Sequence, residues 1–285
     1  MKHDLQPKNF PQDFITFQDI SFAYPPVEDG EDLAVKPIFH HFTATLPGGF
    51  VSLVGPNASG KSTFMLLAAG RLLPQQGNIF LLGKNTSQMT EEERSLCASF
   101  IYQNMEFETE EPVSQLLEQV YRNGAFLGNC PPIQSHTQDL LEEIIEVLEL
   151  QELKEKPLKT LSKGQMQRVI LAFSLLYGSK SIFMDEPLFA LENNHKHKIL
   201  TYIKSYCHQL GITIYISMHE LELSRMYPDN VLLFYPNRDM DFGSPDEILT
   251  PQTLEKAYGV PAAMLKDAES LTRKNLQEQY ENQSL

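Results

Sequence analysis

Residues 50–63 read "FVSLVGPNASGKST". The run Phe50 to Val54 is unbroken apolar sequence, the pattern of a strand buried on both faces. Gly55, Pro56, Asn57, Ala58, Ser59, Gly60, Lys61 and Ser62 then match G-x-x-x-x-G-K-[ST], and Thr63 follows. Apolar sequence at 62–73 predicts a helix stopped by Pro74. A strand before the loop and a helix after it are the context that gives the pattern meaning. The glycines let the backbone curl so that successive N–H groups aim at one anion, and the helix start adds the positive end of its dipole. Lys61 then suits the β- and γ-phosphates of a nucleotide, and the Ser62 hydroxyl suits Mg²⁺.

The chain around this loop alternates between two patterns. Strands are predicted at 14–24, 38–46, 78–83, 98–103, 181–187, 212–220 and 230–235. An acidic, Pro-containing loop occupies 25–37. The middle is helical, with amphipathic stretches at 113–121 and 139–153. In the second, Leu140, Leu141, Ile144, Ile145 and Leu148 share one face, and Glu142, Glu143 and Glu146 lie opposite. A short helix is expected at 250–259, with Thr250 as cap and Pro251 in the first turn. The polar tail from Lys266 reads as a solvated helix or as disorder.

Composition excludes several classes. Of 285 residues, 23 are Lys or Arg and 37 are Asp or Glu, for a net charge of −14. Sequence-independent nucleic-acid binding needs clustered cations, so no nucleic-acid partner is expected. Three widely spaced cysteines (Cys97, Cys130 and Cys207) argue against a disulfide framework or zinc site and fit a reducing compartment. The opening "MKHDLQPKNF" lacks the apolar core of a signal peptide, and the apolar runs are too short to span a bilayer. Any membrane role would run through a partner.

A phosphate loop of this kind needs a second carboxylate for Mg²⁺. "SIFMDEP" (181–187) supplies Asp185 at a strand end, followed by Glu186, which could orient and deprotonate an attacking water. "LSKGQ" (161–165) is a polar turn with no evident partner in its own chain, running directly into an apolar helix.

Taken in order, these segments resemble the ATP-binding-cassette (ABC) ATPase family over roughly residues 14 to 260. Tyr24 matches the aromatic that stacks on adenine in that family, an interaction of about 1–3 kcal/mol. Gly55 to Thr63 match the phosphate loop, and Gln103 matches the glutamine that touches Mg²⁺ and the attacking water. Leu161, Ser162, Lys163, Gly164 and Gln165 resemble the LSGGQ signature. Asp185 and Glu186 match the second carboxylate motif, and His219 in "YISMHE" matches the switch histidine. The resemblance implies a P-loop NTPase (RecA-like) α/β core with an antiparallel β subdomain and an inserted α-helical subdomain. Residues 1–265 would form one ATPase domain. Within it, 14–103 and 166–260 would make the core with its β subdomain, 104–165 the helical signature subdomain, and 266–285 a polar tail.

The resemblance also implies ATP and Mg²⁺, with Ser62, Gln103 and Asp185 as the ion's ligands. Catalysis would fall to Glu186, His219 and Gln103. Two subunits would face head to tail, each ATP lying between the phosphate loop of one and the signature turn of the other. Three departures stand out: Lys163 for a signature glycine, Glu192 where the family ends a turn in Asp, and the acidic insert at 25–37. The segment 241–260 resembles ATPase subunits of iron–siderophore, haem or cobalamin importers. That implies a polytopic membrane permease, a periplasmic or surface substrate-binding protein, and a place on the inner face of the cell membrane. The competing reading is a soluble ABC ATPase that remodels a cytosolic complex.

Overall fold

The computed structural model describes residues 10–25, 37–103, 105, 107–261 and 264–265. Most of the acidic insert and the polar tail from 266 lie outside them. Strands β1 (Ile15–Phe22) and β2 (Phe39–Leu46) lead into β3 (Phe50–Val54) and helix α1 (Lys61–Ala68). Then follow β4 (Gln76–Leu81), β5 (Lys84–Asn85), α2 (Glu91–Cys97) and β6 (Ala98–Ile101). The middle carries α3 (Val113–Asn123), α4 (Leu140–Val147) and α5 (Lys163–Tyr177). After it come β7 (Ser181–Asp185), α6 (Asn193–Leu210), β8 (Thr213–Ser217) and α7 (Leu221–Met226). The last elements are β9 (Asn230–Phe234), β10 (Met240–Gly243), α8 (Pro245–Ile248) and α9 (Pro251–Tyr258).

Among the described residues the strands form two sheets. One is antiparallel, ordered β2-β1-β4-β5. The other is ordered β10-β9-β3-β8-β7-β6 and is parallel except at β10. Every residue of β3 is buried, as its continuous apolar sequence requires of a central parallel strand. β3 lies between β8 and β9, which places the turn after it at the middle of the sheet's C-terminal edge. Open parallel sheets bind ligands at that edge.

The aromatic side chains join the two sheets. Phe64 of α1 packs on Phe17 of β1 with ring centroids 4.9 Å apart and on Phe234 of β9 at 5.5 Å. The helix that follows the glycine loop is therefore clamped between both sheets. It is shorter than the apolar run suggests. The turn is broken at Gly70, where φ is 66°, well before Pro74, and the chain needs that left-handed step to turn back toward β4. α9 matches the expected cap, with the Thr250 hydroxyl accepting from the Thr253 amide and Pro251 in the first turn.

The helical middle packs as a cluster, with Val113, Leu117, Leu140, Ile144, Val169 and Leu171 all buried. α4 stops at Val147, short of the periodic stretch that predicts it, and Glu149 beyond its end has φ 54°. Glu143 is a second departure. It was expected to face solvent with Glu142 and Glu146, yet it is fully buried. The loop before α4 folds over it. Its carboxylate accepts from the backbone N–H groups of Ile133 and Gln134, both at 2.5 Å, and of Ser135 at 3.0 Å. A helical period assumes water on the polar face, and here a loop's amides take the place of water. Three converging N–H dipoles offset the desolvation of the carboxylate. Replacing Glu143 with Gln sets an amide NH₂ against one of those donors. The expected cost is about 1.5–3 kcal/mol, read as a lower midpoint in urea unfolding.

Candidate functional site

Gly55 follows β3 with φ 146°, and a Cβ there would stand 2.6 Å from the Phe234 carbonyl oxygen. Only glycine lets the chain leave β3 this close to β9. The loop then takes Ala58 into the left-handed region at φ 60° and reaches Gly60, the N-cap of α1. No side chain caps that helix, so its first-turn amides are uncovered by the protein's own groups. Ser59 Oγ is buried with no hydrogen-bond partner among the described residues. Lys61 is almost wholly buried, and its ammonium donates to the carbonyls of Gly55 at 2.8 Å and Pro56 at 2.9 Å. Burial pulls the Lys61 ammonium below the ordinary lysine range, while the nearby Asp185 and Glu186 carboxylates push it back up. Uncapped amides, an orphaned hydroxyl and a desolvated ammonium together form a cradle suited to a phosphate chain. The Tyr24 hydroxyl lies 3.2 Å from Thr63 Oγ1, with its ring edge-on to Phe22.

A second group of predicted residues meets at the ends of β6, β7 and β8. Gln103 Nε2 donates to Glu186 Oε2 at 2.6 Å, and His219 Nε2 lies 2.6 Å from Glu186 Oε1. Asp185 and Ser217 are register partners across β7 and β8. The Ser217 hydroxyl donates to Asp185 Oδ1 at 2.7 Å and accepts from the Glu186 amide at 2.9 Å. Glu186 itself has φ 50°, a left-handed conformation that costs a non-glycine residue on the order of 1–2 kcal/mol. Strain of this kind collects at functional sites. Ser217 belongs to this group without being marked in the sequence pattern: a hydroxyl at the end of an apolar strand gains its meaning only from the carboxylate paired opposite it.

The stretch 161–165 makes a different set of contacts, and it corrects the reading that it lacks a partner in its own chain. Ser162 is the N-cap of α5. Its hydroxyl accepts from the Gln165 amide at 3.3 Å, and the Gln165 side-chain oxygen accepts from the Ser162 amide at 3.0 Å. This reciprocal capping box was present in the Ser-x-x-Gln spacing. Gly164 is the fixed point. A Cβ on it would lie 2.9 Å from the Ala190 carbonyl, so the start of α5 sits directly on the turn after Glu186. Lys163, at the first helical position, is exposed. Glu192 is also exposed and is the N-cap of α6, without a capping bond from its side chain.

The ABC transporter family model matches residues 41–189, over half of the chain. The chain belongs to the ABC transporter family. It binds and hydrolyses ATP. Among curated relatives it is 27% identical over 230 residues to the hemin import ATP-binding protein HmuV of Escherichia coli O157:H7, covering 78% of this chain and 87% of that protein. To the petrobactin import ATP-binding protein FpuC of Bacillus anthracis it is 25% identical over 222 residues, covering 78% and 81%. A dimeric ATP-binding cassette in a post-hydrolysis state with ADP and phosphate superposes with a TM-score of 0.65. It is 20% identical and covers 81% of this chain and 98% of that one.

The contrast between Lys163 and Gly164 can be tested directly. Lys163→Gly should shift stability by no more than about 1 kcal/mol, the helix-propensity difference, and leave ATP turnover nearly unchanged. Gly164→Ala should lower turnover several-fold, because overpacking of about 1–3 kcal/mol is relieved by displacing the 188–191 turn. Steady-state ATPase assays and thermal unfolding of both variants read the difference.

Proposed function

We propose that this chain is the ATP-hydrolysing subunit of an importer for a metal chelate of siderophore, haem or cobalamin type, working with a separate membrane permease. The observation that carries the hydrolytic part is the meeting of Gln103, Glu186 and His219 at the sheet edge, with Glu186 in hydrogen-bond reach of both neighbours. The import part rests on relatives whose names specify hemin and petrobactin import, each aligned over 78% of this chain.

In this reading the Gly55–Thr63 loop holds the phosphates, with Lys61 leaving its carbonyl partners for the β- and γ-phosphate oxygens. Tyr24 stacks on the adenine. Ser62, Asp185 and Gln103 would hold Mg²⁺. When bound, the ion neutralises charge shared between the β- and γ-phosphates. The donor set fits such an ion, being a hydroxyl, an amide oxygen and a carboxylate. Glu186 accepts a proton from the attacking water. His219 orients that carboxylate from one side and contacts the γ-phosphate. Gln103 holds it from the other side and aligns the water. Ser217 fixes the spacing between Asp185, which serves the metal, and Glu186, which serves the water.

Two cassettes act together, most simply as a homodimer. The start of α5, with Ser162 as its cap, faces the γ-phosphate held by the other subunit, where the helix N-terminus favours an anion. Among the described residues no helix is long and apolar enough to cross a membrane. Attachment to the cytoplasmic face runs through the permease, and the substrate-binding protein acts from the far side.

Glu186→Gln should keep ATP binding, lower turnover by at least about 100-fold and accumulate a nucleotide-bound dimer in size-exclusion chromatography. Turnover at the normal rate would overturn the assignment of Glu186. Affinity purification of the tagged chain from detergent-solubilised membranes should bring down a polytopic subunit. Recovery only as a membrane-free dimer would replace the importer with the soluble remodelling ATPase.

A further inference from the structure

Lys196 is a charged side chain with only 7% of its surface exposed, in the first turn of α6. Its ammonium is ion-paired with the carboxylate of Glu220. Glu220 is the residue after His219 and the N-cap of α7, yet its side chain makes no capping bond to that helix. The carboxylate turns instead to Lys196. The Lys196 amide donates to the Glu192 carbonyl at 3.0 Å as the first backbone bond of α6, which begins where the 188–192 turn ends.

His219 needs such support. Its side chain is 44% exposed, and among the described residues its ion pair is to Glu186, a residue already held in a strained conformation. An exposed imidazole keeps much of its rotamer freedom, and a side chain about 1 Å out of place can cost far more rate than its own contact is worth. On one side the loop 218–220 leaves β8 at Ser217. On the other, the Glu220 carbonyl accepts from the Ser224 amide of α7 at 3.1 Å, and the Glu220 side chain reaches across to α6.

We propose that Lys196 is a positioning residue for hydrolysis. Its buried ammonium holds Glu220, and through the adjoining peptide it fixes His219 against Glu186. The same bond ties the loop carrying His219 to the helix that begins directly after the turn packed on Gly164. This inference rests on the assignment of Glu186 and His219 as the hydrolytic pair.

The test measures kcat and KM for ATP in full-length Lys196→Met, Lys196→Arg and His219→Ala, together with the His219 ring ¹⁵N resonances of the first two. Lys196→Met keeps the aliphatic packing and removes the charge. Its kcat should fall by about tenfold with KM nearly unchanged, and its His219 resonances should shift or broaden. Lys196→Arg should recover most of the rate and the resonance positions, because a cation is restored. If Lys196→Met hydrolyses ATP normally while His219→Ala is inactive, this inference fails and the hydrolytic pair stands. If His219→Ala hydrolyses ATP normally, the hydrolytic pair itself fails and the inference with it. A rate loss in Lys196→Met that matches its loss of folded protein, with unmoved His219 resonances and no recovery in Lys196→Arg, would mark the pair as purely structural and also overturn it.

Discussion

Asp185 and Ser217 stand opposite each other on neighbouring parallel strands, and one hydroxyl between them decides where two carboxylates can go. The Ser217 hydroxyl donates to Asp185 and accepts from the amide of Glu186, which fixes the first carboxylate and the backbone of the second in one stroke. Glu186 can hold its left-handed conformation because that amide is satisfied in the interior. From there its carboxylate reaches Gln103 and His219. Each wider feature of the site depends on this register: β7 and β8 must pair without slippage, and their buried residues make slippage costly. The parallel sheet is thus a ruler as well as a core.

The phosphate loop obeys a second, steric constraint. Gly55 passes so close to the Phe234 carbonyl that a methyl group would collide with it. The aromatic column Phe17–Phe64–Phe234 then holds the helix behind the loop between the two sheets. Site and scaffold share residues here. A change that loosens the packing of Phe64 would move the amides of the first helical turn as well as lower stability.

Much of this was legible in the sequence because it rests on local rules. Five apolar residues before a glycine-rich loop specify a central strand, and Thr250 with Pro251 specifies a helix start. The Asp185–Glu186 pair after an apolar run marks the edge where chemistry collects. What escaped depended on contacts distant in sequence. Helical periodicity sorted Glu143 to the solvent side because it has no means of anticipating a loop that folds across the helix. Pro74 is the stronger helix breaker by composition, but Gly70 ends α1 because the chain must reverse there. The stretch 161–165 looked unpartnered, since the Ala190 carbonyl on which Gly164 sits is more than twenty residues away. Ser217 was invisible without knowing which strand lies beside β7.

The loop over Glu143 has a consequence for recognition. Residues 133–135 belong to no helix or strand, yet three of their amides are fastened to one carboxylate inside the protein. A surface segment of this sort is ordered before anything touches it. Whatever docks against it meets a rigid relief and loses little chain entropy on contact. The carboxylate that fastens it belongs to α4, whose apolar side joins the buried cluster it shares with α5, so the shape of this surface is set by the same packing that holds the interior.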